Sequence, residues 1–403
     1  MKFTRLFLAS LAFGLLFLVP PIRLQVRSQE KPAGSAQYLA YVGTYTTPGD
    51  WRGDTASKGI YVFRYDAATG KLTSRELAAE AGDPSFVVVH PNGKFLYAAN
   101  EIGVFEGSKS GSVSAFSIDP KTGKLTLLNK VASAGLGPCH ISLDRTAKYV
   151  LVANYDSGSV SVHPIGPDGH LLASTAAIQH HGSGPDKARQ EGPHAHWIGP
   201  SPDNRFVLVA DLGLDEVLIY RFDAAHGTLV PNDPAFVRLA PGSGPRHLAF
   251  HPSGKFAYVV TEMGADVTAL SFDPVKGLLK PLQTISTLPA DYAGPKEDAE
   301  IAVHPNGRFL YVSNRGHDSI AIFAVNPATG ALSPLGRVST HGKTPRAFVL
   351  DPAGKHLLVA NQITHTIVAF DIDPATGALS PAAPPVEVQA PTSIAFLPLA
   401  PAK

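Results

Sequence analysis

Hydrophobic and polar residues alternate in short runs along most of the chain, and residues 244–262 show the repeating unit most clearly. Their sequence, GPRHLAFHPSGKFAYVVTE, predicts a short strand over 246–250, a tight turn over 251–254 and a second strand over 256–261, rich in aromatic and β-branched residues. One hairpin of this size cannot bury its own apolar face. Similar stretches start at Asp83, Gly137, Gly192, Asp298 and Thr344, which predicts an array of packed hairpins.

A second hairpin follows each of these units, as in the strand over 266–273, the turn after it and the weaker strand over 278–285. Four strands per unit, at a spacing of about 46 to 55 residues, are typical of propeller blades. Seven starting positions decide how many blades we expect. They are Pro84, Pro138, Pro193, Pro245, Pro345 and Pro391, with Ala299 in place of the remaining proline.

The two ends of the repeat complete each other. Residues 391–398 form a first strand without a hairpin partner, whereas the repeat begins at Tyr38 with a second strand that lacks a first. Pairing of the C-terminal strand with the N-terminal three would close the ring and leave no open sheet edge at the join. We therefore predict an all-β, seven-bladed β-propeller, with four antiparallel strands per blade, as a single domain over residues 38–398.

Composition excludes some classes of partner. The chain has 403 residues and a formal charge of +1, and no cluster of lysine and arginine is interleaved with aromatic residues. Nucleic acid is therefore not an expected partner. The single cysteine, Cys139, excludes an internal disulfide. We expect a monomer that binds a small molecule.

The N-terminus has the pattern of an export signal. A positively charged start, MKFTR, precedes a short apolar segment over residues 6–19, which at fourteen residues is too short to span a bilayer comfortably. Residues 1–19 are thus predicted to be an export signal or an uncleaved anchor, and both outcomes stay open. Residues 20–37 are predicted to be a disordered tether. We expect a periplasmic or extracellular location rather than a cytoplasmic one, with membrane contact only if the segment is uncleaved.

The two faces of the predicted ring differ in their loops. His90, His251 and His304 lie in His-Pro turns, where serine or aspartate stands in other blades, so we expect them to serve the turn. The long insertions fall on the opposite face, where binding residues are usually found on a rigid scaffold. They cover residues 46–58, 102–110, 176–192 and 288–298.

Two columns of polar residues are predicted to meet at the channel mouth on that face. The alternative, a solvated channel with structural ion pairs, stays open. The first column follows the starting position of each blade and reads Ser85, Cys139, His194 or His196, Arg246, Glu300, Arg346 and Thr392. The second column ends the second strand and reads Tyr45, Glu101, Tyr155, Leu212, Glu262, Arg315 and Gln362.

Several blade-specific strings resemble the seven-bladed-propeller lactonase family, which is named for bacterial 6-phosphogluconolactonase and includes fungal carboxymuconate cyclase. The resemblance covers residues 38–398. It is carried by YVGTYT (41–46), GPCH (137–140), RQEGPHAH (189–196), the 244–262 unit, and the strings over 299–323 and 345–362. It implies a metal-independent channel-mouth site of His and Arg residues that acts on lactones with an anionic group. Members that act on phosphogluconolactone are cytosolic, whereas this chain is expected to be exported.

Lactone hydrolysis needs a water activated by a general base, donors for the carbonyl oxygen and contacts that hold the sugar acid. Candidates for the base are His140, His194, Glu262 and Glu300, and we favour His140 with Glu300 or Glu262 beside it. The remaining candidates would bind substrate, with Arg189 as a lid residue. They are Arg189, His196, Arg246, Arg315, Arg346, Tyr155 and Gln362.

The functional hypothesis is a hydrolase of sugar-acid lactones that needs no cofactor. A metal site at His194 and His196 is a lesser alternative, because residues i and i+2 of a strand point to one side but no third ligand is defined. Two other functions stay open: a muconate cycloisomerase-like enzyme that forms a lactone, and a non-catalytic exported propeller that binds a ligand.

Overall fold

A computed structural model describes residues 37–399, which contain twenty-nine strands and no helix. The predicted signal or anchor over 1–19 lies outside these residues, as does the predicted tether except for Gln37, which begins the first strand. Because residues 37–399 contain no helix, no membrane-spanning helix is found among them.

The strands form seven antiparallel sheets, which are the blades of a propeller. Blade 1 contains β1 (Gln37–Thr44), β2 (Gly59–Asp66) and β3 (Lys71–Glu80). Blade 2 contains β4 (Pro84–Val89), β5 (Phe95–Asn100), β6 (Ser112–Ile118) and β7 (Leu125–Ala132). Blade 3 contains β8 (Pro138–Leu143), β9 (Tyr149–Asn154), β10 (Ser159–Pro164) and β11 (Ala176–Gln179). Blade 4 contains β12 (Ala195–Pro200), β13 (Phe206–Asp211), β14 (Glu216–Asp223) and β15 (Thr228–Arg238).

The remaining blades repeat this order. Blade 5 contains β16 (Pro245–Phe250), β17 (Phe256–Thr261), β18 (Asp266–Asp273) and β19 (Leu278–Ser286). Blade 6 contains β20 (Asp298–Val303), β21 (Phe309–Asn314), β22 (Ser319–Val325) and β23 (Leu332–Ser339). Blade 7 contains β24 (Pro345–Leu350), β25 (His356–Asn361), β26 (Thr366–Ile372), β27 (Leu379–Pro381) and β28 (Val386–Glu387), the last paired with β26. Finally, β29 (Pro391–Pro398) joins blade 1.

The ring closes through β1 and β29. These strands pair antiparallel from Tyr38 opposite Pro398 to Val42 opposite Ile394. The C-terminal strand thereby supplies the inner strand of blade 1, which confirms the predicted seven-bladed ring and its closure. Within each blade the second strand is buried along its length, as in β9, β13 and β17, because neighbouring blades cover both of its faces.

Turns on one face also bond to the next blade. The Nε2 of His251 donates to the carbonyl of Gly307 at 2.9 Å, and its Nδ1 accepts from the amide of Ser253 at 3.1 Å. His304 makes the same contact to Gly354, at 2.7 Å. The predicted structural role of these turn histidines is confirmed, because their ring nitrogens are used within the turn and across the blade boundary.

A β-bulge lies near the start of each inner strand. In β16, Pro245 lies opposite Thr261 and His247 opposite Val260, so Arg246 is an extra residue without a partner. A bulge of this kind re-aims a side chain and places consecutive residues toward the same side. In five of the other six blades the extra residues are Ser85, Cys139, His196, Arg346 and Thr392. In blade 6 the register shifts between Asp298 and Ile301.

The register corrects two of the predicted starting positions. Ala195 pairs with Asp211, and Asp298 pairs with Asn314, as the starting prolines do in other blades. The residues equivalent to the starting prolines are therefore Ala195 in blade 4, rather than Pro193, and Asp298 in blade 6, rather than Ala299. In consequence Glu300 lies one position further along its strand than the first polar column requires.

Candidate active site

The inner strands enclose a narrow cavity at the channel mouth. Its accessible volume is about 10 Å³, which is about the space of one water molecule. The bulged residues and the residues that follow them supply its walls. The cavity is lined by Ser85, Phe86, Cys139, His196, Arg246, His247, Glu300, Arg346 and Thr392.

His247 and Glu300 form a hydrogen-bonded pair in this cavity. The Nδ1 of His247 lies 2.9 Å from Oε1 of Glu300. Burial raises the pKa of Glu300 to about 7, although the Arg246 guanidinium acts in the opposite direction. Burial, together with the charges of Arg246 and Arg346, lowers the pKa of His247 well below its ordinary value. A carboxyl group with such a pKa gains or loses its proton near neutral pH.

His140 lies beside this pair without a carboxylate of its own. Its ring centroid is 5.2 Å from that of His247 and 4.3 Å from that of Phe86, and its Nδ1 accepts from the amide of Ile198 at 3.3 Å. Burial lowers the pKa of His140 well below its ordinary value. Glu300 lies near enough to His140 to act on its charge, as expected, but the hydrogen bond of Glu300 goes to His247. The choice of His140 as the base stays a prediction.

Glu262 is surrounded by three guanidinium groups. Its carboxylate oxygens lie 2.5 Å from Arg189, 2.7 Å from Arg315 and 3.1 Å from Arg246. Burial raises the pKa of Glu262, but the three positive charges outweigh burial and hold that pKa well below its usual range. Such a carboxylate is a counter-ion rather than a proton acceptor. Arg246 also donates to the carbonyl of Ala299, at 2.6 Å.

Arg346 has a different environment. Its guanidinium lies 5.2 Å from the ring centroids of both Tyr45 and Trp51, and the residue is 9% exposed. No carboxylate of residues 37–399 lies within ion-pair distance of it, and it donates no hydrogen bond to them. The hydroxyl of Tyr45 donates to Glu101 at 2.9 Å. Arg346 is therefore a buried cation that contacts aromatic rings and makes no hydrogen bond to residues 37–399.

The loop over residues 46–58 lies against the same rim. Arg52 forms an ion pair with Asp83 at 2.8 Å, and the amide of Gln362 donates to the carbonyl of Trp51 at 2.9 Å. Gln362, predicted to bind substrate, is thus engaged in holding this loop. The indole of Trp51 stays about half exposed above Arg346.

His194, Tyr155 and Arg189 form the opposite part of the rim. The ring of His194 stacks on Tyr155 at 4.6 Å, and its Nε2 lies 3.2 Å from Glu191. Arg189 donates to the hydroxyl of Tyr155 at 3.4 Å. His194 precedes the bulge of β12, so the member of the first column is His196, whose ring centroid lies 5.3 Å from that of His247.

His194 and His196 both contact Tyr155 but differ in their polar neighbours. The ring centroids lie 4.6 Å and 5.4 Å from that of Tyr155, and Nδ1 of His196 lies 3.8 Å from the sulfur of Cys139, whereas Nε2 of His194 lies 3.2 Å from Glu191. Residues 37–399 contain no group of three or more histidine, cysteine, aspartate or glutamate side chains that could hold a metal ion.

Comparison with known proteins places these features in a family. Residues 39–396 match the family described as lactonase, 7-bladed beta-propeller. The chain belongs to this lactonase family. It is 41% identical to a Bacillus subtilis 6-phosphogluconolactonase over 315 residues, which cover 78% of this chain and 85% of that protein.

Two solved structures resemble this lactonase-family chain closely. A Bacteroides fragilis protein described as a putative 6-phosphogluconolactonase has a TM-score of 0.82 and 37% identity, and the match covers 90% of this chain and 98% of that one. The Pseudomonas aeruginosa periplasmic gluconolactonase has a TM-score of 0.83 and 34% identity, and the match covers 91% of this chain and all of the other.

His247 is the site residue of this lactonase-family chain that the sequence reasoning missed. A signal was present, because Cys139-His140 and Arg246-His247 follow the same Gly-Pro start in blades 3 and 5. The first residue of each pair is bulged, so both residues face the channel. Trp51 and Arg52 were also missed, since a loop of irregular sequence gives no periodicity from which to place them.

Proposed function

We propose that this chain is a 6-phosphogluconolactonase-like lactone hydrolase whose base is the His247–Glu300 pair. The observation that carries the proposal is the 2.9 Å hydrogen bond between Nδ1 of His247 and Glu300, at a cavity wall. When Nδ1 donates to the carboxylate, Nε2 carries the lone pair that can accept a proton. Nε2 has no hydrogen-bond partner among residues 37–399, so it is free to bind a water.

The reaction follows from this geometry. Nε2 of His247 takes a proton from water as the water oxygen bonds to the lactone carbonyl carbon, and the carbonyl π electrons move to the carbonyl oxygen. The intermediate then collapses, the ring C–O bond breaks, and the ring oxygen takes the proton back from His247. The product is an open-chain hydroxy acid. A positioned base of this kind contributes roughly 10²- to 10⁴-fold to the rate.

The substrate we propose is the unphosphorylated lactone of a six-carbon sugar acid, outside the cytoplasm. The apolar segment at residues 6–19 supports export. The similarity to the Pseudomonas aeruginosa periplasmic gluconolactonase supports both the compartment and the substrate. The Bacillus subtilis relative is named for the phosphorylated lactone, so it supports hydrolysis of the same lactone ring but with a phosphate on the sugar acid.

Two measurements test this proposal. Purified protein is incubated with glucono-δ-lactone and with its 6-phosphate, and acid release is followed above the spontaneous rate. We expect turnover of both, with the higher kcat/KM for the unphosphorylated lactone. Cell fractionation should find the protein outside the cytoplasm. A cytosolic protein that prefers the phosphorylated lactone would contradict the export proposal, and turnover of neither lactone would contradict lactone hydrolysis.

A further inference from the structure

Arg246 and Arg346 occupy the same bulged position in blades 5 and 7 but differ in their partners. Arg246 donates to Glu262 at 3.1 Å and to the carbonyl of Ala299 at 2.6 Å. Arg346 is more than nine-tenths buried and donates no hydrogen bond to residues 37–399. A buried guanidinium without a hydrogen-bond acceptor is unfavourable for folding, so its retention indicates a use in binding or catalysis.

The groups around Arg346 leave its N–H edge available on the cavity side. Tyr45 and Trp51 lie over the guanidinium, each with its ring centroid at 5.2 Å. The nearest acids have other partners, since Glu101 accepts from Tyr45 and Glu262 from three arginines. The hydroxyl of Thr392 already donates to the carbonyl of Ser85. Arg346 therefore lines the cavity as an unused donor.

The size of the cavity decides which group of the substrate Arg346 can meet. Arg346, His247 and Glu300 share walls of a space of about 10 Å³. A space of this volume admits one water-sized group, such as a carbonyl oxygen, and is too small for a phosphate. We propose that Arg346 is a catalytic residue that donates to the lactone carbonyl oxygen and stabilises the oxyanion. This inference rests on the proposed hydrolysis.

Arg346 would act in the step in which negative charge develops on the carbonyl oxygen of the lactone. As water adds to the carbonyl carbon and His247 accepts its proton, the carbonyl oxygen becomes an oxyanion and binds the N–H groups of Arg346. When the ring C–O bond breaks, the carbonyl re-forms and the ring oxygen takes the proton from His247. The hydrogen bond from Arg346 to the carbonyl oxygen becomes stronger as negative charge develops on that oxygen in the transition state. Arg346 should therefore raise kcat and have little effect on KM.

The test compares Arg346→Met and Arg346→Lys with Arg308→Met. Arg308 donates only to backbone carbonyls of a distant turn, so it is a matched control for loss of a guanidinium. We expect both Arg346 variants to lose roughly 10²- to 10³-fold in kcat on glucono-δ-lactone and on its 6-phosphate alike, with KM changed by less than about threefold. Added guanidinium ion should restore part of the kcat of Arg346→Ala. Arg308→Met should keep the wild-type values.

Thermal unfolding supplies a readout that does not depend on turnover. Arg346→Met should unfold close to the wild-type temperature, because removal of a buried charge offsets the loss of its contacts with Tyr45 and Trp51 and of its attraction to Glu101. A lower unfolding temperature would make Arg346 a structural residue and overturn the inference. If kcat were unchanged and KM rose only for the phosphorylated lactone, Arg346 would be a phosphate-binding residue. That result would also overturn the inference, but it would leave the proposed function intact. If the wild type hydrolyses neither lactone, both proposals fail.

Discussion

The hairpin of β16 and β17 holds two histidines four residues apart that have opposite environments. His251, in the turn, uses both ring nitrogens on neighbours, one of them a backbone carbonyl in the next blade. His247, at the channel, bonds to Glu300 through Nδ1 and keeps Nε2 without a partner among residues 37–399. The two residues are of the same type, but both ring nitrogens of His251 are hydrogen-bonded, whereas His247 has one ring nitrogen free. We call the His247–Glu300 pair, with its unpartnered Nε2, the open network.

The same contrast separates the two faces of the ring. Turn residues such as His304, and tyrosines such as Tyr311, satisfy their polar atoms across blade boundaries. The channel mouth keeps buried polar atoms without hydrogen-bond partners among residues 37–399, including Nε of Arg315 and Oε1 of Gln362. The guanidinium of Arg346, which lines the cavity, also donates no hydrogen bond to these residues. Buried polar groups in a stable fold are nearly all hydrogen-bonded, so a concentration of exceptions marks the face that meets a ligand.

The sharpest way to break this contrast is to give both histidines the same substitution. We expect His247→Gln to lower kcat/KM on glucono-δ-lactone by roughly 10²- to 10⁴-fold, because the amide cannot accept and return a proton. His251→Gln should keep activity near the wild-type value. Its loss is expected in stability instead, about 1 kcal/mol in the free energy of unfolding, since one buried hydrogen-bond network is weakened.

Steady-state lactone hydrolysis and urea unfolding of both variants decide the matter. Glu300→Gln is a second test of the open network and should match His247→Gln in its loss of activity. If His251→Gln lost as much activity as His247→Gln, the two faces would not differ in function as we infer.

A second prediction concerns the charges at the mouth. Glu262→Gln removes the anion that Arg189, Arg246 and Arg315 share. Arg246 and Glu262 are buried, and the side chain of Arg315 is about 10% exposed. We therefore expect the free energy of unfolding to fall by about 3 kcal/mol, the lower end of the range for breaking a buried ion pair, because the new amide still accepts one hydrogen bond. Urea unfolding measures this. A variant as stable as the wild type would mean that the three guanidiniums are neutralised by solvent rather than by Glu262.

Much of this fold could be predicted because it depends on periodicity. The spacing of apolar strands, the His-Pro turns and the unpaired strand at each end were sufficient for seven blades and their closure. The columns of polar residues also indicated which face holds the site. Arg246, Glu300 and Arg346, a hundred residues apart at their extremes, line one cavity as expected.

The partners within the site could not be predicted, because a bulge changes register by one residue without altering the sequence pattern. That single step moves Glu300 out of the first column and gives its hydrogen bond to His247 rather than to His140. The number of guanidiniums that reach Glu262 depends likewise on side-chain geometry from three different blades. Strand spacing does not encode such contacts.

The smallest predicted effect is a pH dependence that arises from the open network. His247, Arg246 and His140 face Glu300, and burial raises the pKa of Glu300 to about 7 although Arg246 and His140 lower it. Glu300 must be ionised to accept the hydrogen bond from Nδ1 of His247, which leaves the lone pair on Nε2 and stabilises the imidazolium after Nε2 accepts the proton. We therefore expect kcat/KM to be constant above about pH 7 and to fall about tenfold per unit below it.

The control for this pH profile is a change of charge. Arg246 lowers the pKa of Glu300, so Arg246→Met should raise that pKa and move the acidic limb of kcat/KM to higher pH, whereas Arg308→Met on the distant face should leave the limb in place. The profiles are measured by acid release from about pH 5 to about pH 8, with the spontaneous rate subtracted. Activity that stays constant to pH 5 in the wild type would show that the proton acceptor is a group other than Glu300, and the open network at His247 would then need a different role.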